Sequence, residues 1–341
     1  MDEKQTTLYL VRHGTTDLNV KMCFQGALDI PLNALGLAQG DRLYHYFKEI
    51  PIDVAVSSPL IRAQQTLEAL LGDRAYRYDI QIESDLTEIN GGVLEGRSMK
   101  ECAVFFPEFM EAMGAHPGAV NPPGGEPGPV VYNRVAEAIN GLVREHQGKT
   151  IVAVSHGFSI QTWLNYAKGI PPEAMEEEVL PNVSVSKFTF DENFKITIDY
   201  IGDNSHLPED MQQTYNWEEL TMEEPVFLCY PRCSTCKKAR KFLEDHGVAY
   251  TERHIVEDPL TKEEILVLMD RYGGEPKRFF NTSGMRYREL ALKDIVPNMD
   301  AEDMAVWLAT DGMLVKRPQL ILKDKVCVGF KEQEWAEALG L

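Results

Sequence analysis

Leu8-Tyr9-Leu10-Val11-Arg12-His13-Gly14-Thr15-Thr16-Asp17-Leu18-Asn19 is the stretch on which the reading of this chain turns. Its four apolar residues, Leu8 to Val11, spell a strand buried on both faces, and the run stops at a cationic pair followed by glycine. In open α/β sheets, sites form beyond the carboxyl ends of such strands. His13 stands there as a candidate nucleophile, with Arg12 and the N–H groups of the turn to hold an oxyanion. Arg-His-Gly alone suits a plain strand–turn–helix crossover equally well, so its neighbours must decide.

Two further stretches repeat the device. Thr150 to Ser159 is again an apolar strand that runs into a histidine and a glycine, His156-Gly157, and then into a helix through Ile160 and Leu164. Ile52 to Val56 reads as a strand ending in Ser57-Ser58-Pro59-Leu60-Ile61-Arg62. Ser58 suits an N-cap and Pro59 a first helical turn, which sets Arg62 about one turn in, facing the strand ends. A short strand over Asp79–Glu83 leads to a glycine-punctuated loop with two carboxylates, Glu88 and Glu95. Two histidines, two arginines and a loop carboxylate suit phosphoryl transfer. Arginines and helix N-termini hold a tetrahedral dianion, and an unprotonated imidazole attacks phosphorus. A carboxylic acid protonates the leaving oxygen, and the second histidine steadies the growing charge. No cluster of aspartates points to magnesium, so neither metal nor cofactor is expected.

At 341 residues the chain exceeds one core, and two domains are expected. The composition, 44% hydrophobic and 26% charged, is that of a soluble globular protein, and no run suits a membrane span. The polar start excludes a signal peptide, so the expected location is cytoplasmic. Residues 1–224 carry 34 acidic against 16 basic side chains, and residues 225–341 carry 19 against 18. Neither balance fits direct nucleic-acid binding. Residues 1–207 form the first expected domain and 225–341 the second. Between them lies a linker over 208–224 with a short helix around Trp217 to Leu220. Within the first domain, 101–130 reads as an irregular site cover, helix-like only at its start. A helix follows over Val130–His146 with Arg134 near its start, and strands ending at Phe190 and Ile201 pair as a hairpin.

The motif Arg-His-Gly-x-Thr-x-x-Asn, complete from Arg12 to Asn19, resembles that of the phosphoglycerate mutase-like histidine phosphatase family. The resemblance takes in Gln25-Gly26, Ser58-Pro59-Leu60 with Arg62, Glu88, Glu95-Gly96, Pro123-Gly124-Gly125-Glu126, His156-Gly157 and Asn182. It implies a three-layer α/β/α domain and a metal-independent phosphatase. His13 is then the phosphohistidine-forming nucleophile, Glu88 the proton donor, and Arg12, Arg62 and His156 the phosphate pocket. Asn19, Gln25, Gly26 and Gly157 complete the substrate site. Cys23, Gly91 and Pro127 depart from the usual arginine, aromatic and serine, which alters the rim. The expected function is therefore a phosphomonoester phosphatase acting on a small phosphorylated metabolite. The alternative is a phosphoglycerate mutase or a cobalamin-pathway phosphatase.

In the second region, Val226 to Tyr230 reads as a strand and Pro231-Arg232-Cys233-Ser234-Thr235-Cys236 as a turn into a helix. A thiolate gains most from a helix N-terminus at that place, and a second thiol one turn on can close a disulfide. Tyr230 to Ala239, with Asn281-Thr282-Ser283-Gly284 and Leu314 to Pro318, is similar to the ArsC/Spx family. That implies a thioredoxin-like fold with a helical insertion over about 261–310. Arg317 matches one oxyanion-binding arginine of the arsenate reductases, whereas Asn281 and Gly329 fall where others stand. A CxxC thiol–disulfide module with Cys233 and Cys236 catalytic is the expectation, served by a thioredoxin- or glutaredoxin-type electron donor. Arsenate reduction and Spx-like regulatory binding are the alternatives.

Overall fold

The structure, a computed structural model, describes residues 5–212 and 224–341. The helix expected around Trp217 to Leu220 lies outside the described residues. The chain divides into two compact units, Met1–Ser98 with Glu111–Asn216 and Met99–Met110 with Trp217–Leu341.

The first unit is built on one six-stranded sheet. β1 (Thr6–Arg12), β2 (Val54–Ser57), β3 (Gln81–Ile82) and β4 (Thr150–Ser155) run parallel. β5 (Val185–Phe190) and β6 (Ile196–Asp203) continue it antiparallel, in the order β3-β2-β4-β1-β5-β6. β1 and β4 lie at its centre, which explains their apolar runs: Leu8, Val11, Ile151 and Val154 are fully buried. Helices cover both faces. α1 (Asp17–Val20) is a single turn; α2 (Ala34–Phe47) and α3 (Ile61–Leu71) pack Leu43, Phe47, Leu67 and Leu70 against Val11, Val152 and Val154. Each buried leucine contributes about 2 kcal/mol.

One local expectation, the start of α3, fails. α3 begins at Ile61 with Leu60 as its N-cap and no side-chain cap bond. Ser58 lies two residues before that N-cap, so its hydroxyl, 2.7 Å from His156 Nε2, accepts from the Leu60 N–H at 3.3 Å and reaches no helical N–H, and Pro59 precedes the first turn. The stretch 101–130 is helical at its start, as expected, although Met99–Met110 falls in the second unit. It holds α4 (Met99–Phe105) and α5 (Pro107–Ala115), with Cys102, Phe105 and Phe109 buried. Pro107 ends one helix and starts the next, as fits a residue with no N–H to give. α6 (Gly128–Glu145) and α7 (Gly157–Lys168) complete the layers.

The second unit has the four-stranded order β10-β9-β7-β8. β7 (Val226–Cys229) pairs parallel with β8 (Thr251–His254) and antiparallel with β9 (Gln319–Ile321), which forms a hairpin with β10 (Val326–Val328). α8 (Ser234–Asp245) lays Cys236, Ala239 and Leu243 on Phe227, Leu320 and Trp335. α9 (Lys262–Tyr272), α10 (Met285–Glu289) and α11 (Ala301–Thr310) are the insertion, and α12 (Glu332–Leu339) closes the chain. Thr261 and Glu264 form a capping box on α9. The buried Glu264 carboxylate also accepts two bonds from Arg253, at 2.8 and 2.9 Å. This is a thioredoxin-like α/β arrangement, so the fold expected of both regions holds.

Candidate active sites

Three neighbouring parallel strands, β2, β4 and β1, deliver their carboxyl ends side by side. Arg12 pairs with Ser155 in register, so the next residues, His13 and His156, emerge together. Their rings lie 5.1 Å apart, and both are buried. His13 Nδ1 donates to the Gly14 carbonyl at 2.7 Å. Because a carbonyl only accepts, the proton sits on Nδ1 and Nε2 keeps its lone pair. Burial first, then the charges of Arg62 and Arg12, hold this imidazole well below its ordinary pKa. His156 is lowered for the same reasons, with His13 and Arg134 adding to the effect. Its Nε2 is 2.7 Å from the Ser58 hydroxyl.

Arg62 is fully buried. Its Nη1 donates to the Leu28 carbonyl at 2.6 Å and its Nη2 to the Gly26 carbonyl at 2.8 Å. Burial pushes it down to about 10, against the attraction of Glu88 and Asp29, so it stays cationic at neutral pH. Arg12 donates to the Leu180 carbonyl through Nη1. The buried Nε of each arginine and Nδ1 of His156 have no protein partner among the described residues. Two anchored guanidiniums with spare donors beside an unprotonated imidazole suit a tetrahedral dianion.

Glu88 lies at the N-terminus of α7. Its carboxylate accepts from the N–H groups of Phe158 at 3.1 Å and Ser159 at 3.2 Å, and from its own neighbour Ile89 at 3.0 Å. Glu95 does different work: one oxygen accepts from Ala27 N at 2.7 Å and Gly91 N at 2.9 Å, joining two loops. Gly26 has φ +52°, and a Cβ there would come 2.2 Å from that oxygen. Asn19 accepts from the Thr16 N–H at 3.0 Å, and Gln25 Oε1 accepts from the Thr16 hydroxyl at 2.9 Å. Gly157 opens α7 and lets the Arg12 guanidinium pass 3.4 Å from where a Cβ would stand. At the rim, a Cβ on Gly91 would meet the Phe24 ring at 2.3 Å, so Phe24 occupies that space. Pro127, the N-cap of α6, brings no side-chain cap bond.

Sequence reasoning missed Ser58 as the partner of His156 because capping explained it already. It also missed the Phe158 and Ser159 N–H groups, which carry no side-chain signature.

In the second unit Cys233 is the N-cap of α8 and partly exposed, whereas Cys236 is buried. Burial raises the Cys233 thiol, but hydrogen bonds from Cys236 and Thr235 and the charge of Arg317 outweigh it, leaving its pKa below the ordinary value. Cys236 is pushed up to about 12, chiefly by burial. The Tyr230 N–H donates to its sulfur at 3.5 Å. Arg317 stacks on Tyr230, 5.2 Å from the ring centroid, and donates to the Met313 carbonyl at 3.3 Å. Asn281 Nδ2 donates to the same carbonyl at 3.4 Å. Among the described residues no group of three or more His, Cys, Asp or Glu side chains could hold a metal, and no helix is long and apolar enough to cross a membrane.

The parallel strands with paired histidines and arginines at their carboxyl edge define a domain of the phosphatase type, followed by a thiol module on a thioredoxin-like fold. Residues 8–203 match the histidine phosphatase superfamily (branch 1), to which the chain belongs, and residues 228–338 match the ArsC family. Phosphoglycerate mutase-like protein 4 of Arabidopsis thaliana is 32% identical over 210 residues, 61% of this chain and 90% of its own length. The YusI protein of Bacillus subtilis (strain 168) is 50% identical over 112 residues, 33% of this chain and 95% of its own length. The crystal structure of the alpha-ribazole phosphatase from Shigella flexneri has a TM-score of 0.52 at 26% identity, covering 58% of this chain and 96% of that one. These names favour the alternative reading of the first domain, phosphoglycerate mutase or cobalamin-pathway phosphatase, over a general phosphomonoesterase.

Proposed function

We propose that the first domain cleaves a small phosphomonoester through a phosphohistidine on His13. The observation that carries this reading is the His13 tautomer: Nδ1–H is spent on Gly14, and burial and two arginines keep Nε2 unprotonated. His13 Nε2 attacks phosphorus in line, the P–O bond breaks, and Glu88 gives its proton to the leaving alkoxide. Glu88, now a carboxylate, takes a proton from water, which attacks the phosphohistidine and frees inorganic phosphate and the neutral imidazole. Arg12, Arg62 and His156 carry the charge on the non-bridging oxygens, so no metal is needed. Asn19, Gln25, Gly26 and Gly157 shape the pocket.

The substrate belongs with those of the relatives, a phosphoglycerate or a ribazole-type nucleoside phosphate. Phosphorus NMR of 3-phosphoglycerate and alpha-ribazole phosphate with enzyme and a chelator tests the reading. Release of inorganic phosphate identifies a phosphatase, and transfer to the 2-position without release identifies a mutase. His13→Ala should abolish both. Turnover by that variant, or strict magnesium dependence, would refute the mechanism.

For the second domain we propose thiol–disulfide exchange. Cys233 thiolate attacks a substrate disulfide and expels one substrate thiolate; Cys236, giving up its proton, then attacks Cys233 sulfur in the mixed disulfide and expels the second. The resulting Cys233–Cys236 disulfide is reduced by a thioredoxin- or glutaredoxin-type dithiol. The low Cys233 and high Cys236 support this division of roles. Arsenate reduction is the second reading, favoured by Arg317 beside Cys233. The free thiols and these reductants belong to the cytoplasm.

A further inference from the structure

Arg134 is remote in sequence from the phosphate-binding arginines, yet all five of its N–H groups are used, and on one small region. Nε and Nη2 donate to the two Glu126 carboxylate oxygens, both at 2.8 Å. Nη1 donates to the carbonyls of Asp85 and Thr87, both at 2.7 Å, and Nη2 also to that of Glu88 at 3.3 Å. The same backbone is held from its other side. The Ser155 hydroxyl donates to the Leu86 carbonyl and the Ser159 hydroxyl to the Thr87 carbonyl, each at 2.7 Å. Glu126 is itself fixed, its N–H donating to the Asn90 carbonyl at 2.8 Å. Every carbonyl from residue 85 to 88 is therefore bonded to a rigid element. A planar guanidinium that is both bidentate to a carboxylate and bonded to three carbonyls restricts orientation as well as distance.

We propose that Arg134, oriented by Glu126, is the positioning residue for proton donation by Glu88, fixing the 85–88 backbone so that the carboxyl group meets the leaving oxygen. The inference rests on Glu88 as the proton donor. Arg134 makes no hydrogen bond to either catalytic histidine, but its charge bears on His156. The informative substitution is therefore Arg134→Lys, which keeps the charge and loses the fork.

The experiment measures kcat and KM of the full chain on p-nitrophenyl phosphate, whose leaving group needs little protonation, and on an alkyl phosphate, whose leaving group needs it fully. Misplacing a catalytic group by about 1 Å costs on the order of a hundred-fold. Arg134→Lys should therefore lower kcat on the alkyl ester by about that factor while leaving the aryl ester and both KM values nearly unchanged. Combined with Glu88→Gln it should add nothing to the loss from Glu88→Gln alone. Glu126→Gln should shift the same ratio in the same direction more weakly, and it serves if Arg134→Lys does not fold. Equal losses on both esters, or losses that multiply with Glu88→Gln, overturn the inference. If Glu88→Gln itself shows no preference between esters, the proton-donor assignment fails first and takes this inference with it.

Discussion

Replacing Glu95 separates a structural carboxylate from a chemical one. One Glu95 oxygen accepts from Ala27 N at 2.7 Å and Gly91 N at 2.9 Å, and the loop it ties carries the Gly26 and Leu28 carbonyls that hold Arg62. A hydrogen bond to a charged group is worth about 1.5–3 kcal/mol, and on this half-buried loop water takes over part of each. Glu95→Ala should therefore cost about 3 kcal/mol of stability, and Glu95→Gln, which keeps a neutral acceptor in place, about half of that. The loosened loop frees Arg62 to move. A loss of about 1.4 kcal/mol in oxyanion binding is ten-fold in affinity. We expect KM and the inhibition constant of inorganic phosphate to rise about ten-fold together in Glu95→Ala, with kcat little changed and no preference between aryl and alkyl esters. Urea unfolding and steady-state kinetics read both effects. A loss of kcat confined to alkyl esters, with KM intact, would show that Glu95 is the proton donor and Glu88 the tie.

Two further outcomes follow from the titrating groups. His13 and His156 are both held below their ordinary value in the folded chain, so between pH 6.5 and those lower values the unfolded state binds more protons. Stability present above about pH 6.5 should fall with decreasing pH by about 1.4 kcal/mol per pH unit for each histidine. Urea titrations at pH 7.5 and 5.5 should show His13→Gln and His156→Gln each removing part of that slope, and an unchanged slope refutes it. Among the cysteines, Cys233 should react with iodoacetamide first at pH 7, whereas Cys236 and Cys229, each raised to about 12, and Cys327, raised to about 11, should resist until unfolding. Peptide mapping that finds Cys236 modified first would reverse the two roles.

What could be read without coordinates was whatever strand topology forces. Apolar runs ending in His13 and His156 must be central parallel strands, and their ends must meet, because such strands sit side by side at one edge of the sheet. Bonds between distant loops were not readable in the same way. Arg134 announces only a helix residue, since besides Glu126 its partners are the backbone carbonyls of Asp85, Thr87 and Glu88, which no residue type marks. Ser58 misled because a serine before proline and a helix satisfies the capping rule, whereas its hydroxyl meets the Leu60 N–H ahead of the helix and also a histidine. Gly91 gives no hint that Phe24 fills the space beside it. The helical start of 101–130 was readable from its apolar spacing, with Phe105 buried in α4 and Phe109 in α5.

The two proposed nucleophiles draw on opposite uses of the same kind of surroundings. At His13 the reactive form is neutral, so burial and the positive charges of Arg62 and Arg12 all favour it, and those arginines are also what a phosphate dianion requires. Binding and activation therefore draw on one set of charges. Placing a negative group in the pocket offsets those charges and raises the basicity of the imidazole as it attacks. At Cys233 the reactive form is the anion, so burial opposes it and the hydrogen bonds of the helix turn together with Arg317 must prevail. That explains why the histidine lies deep at the sheet edge and the cysteine stands partly exposed as an N-cap. A thiol set at the depth of His13 would lose solvation of its anion, and burial would leave it an inert neutral thiol.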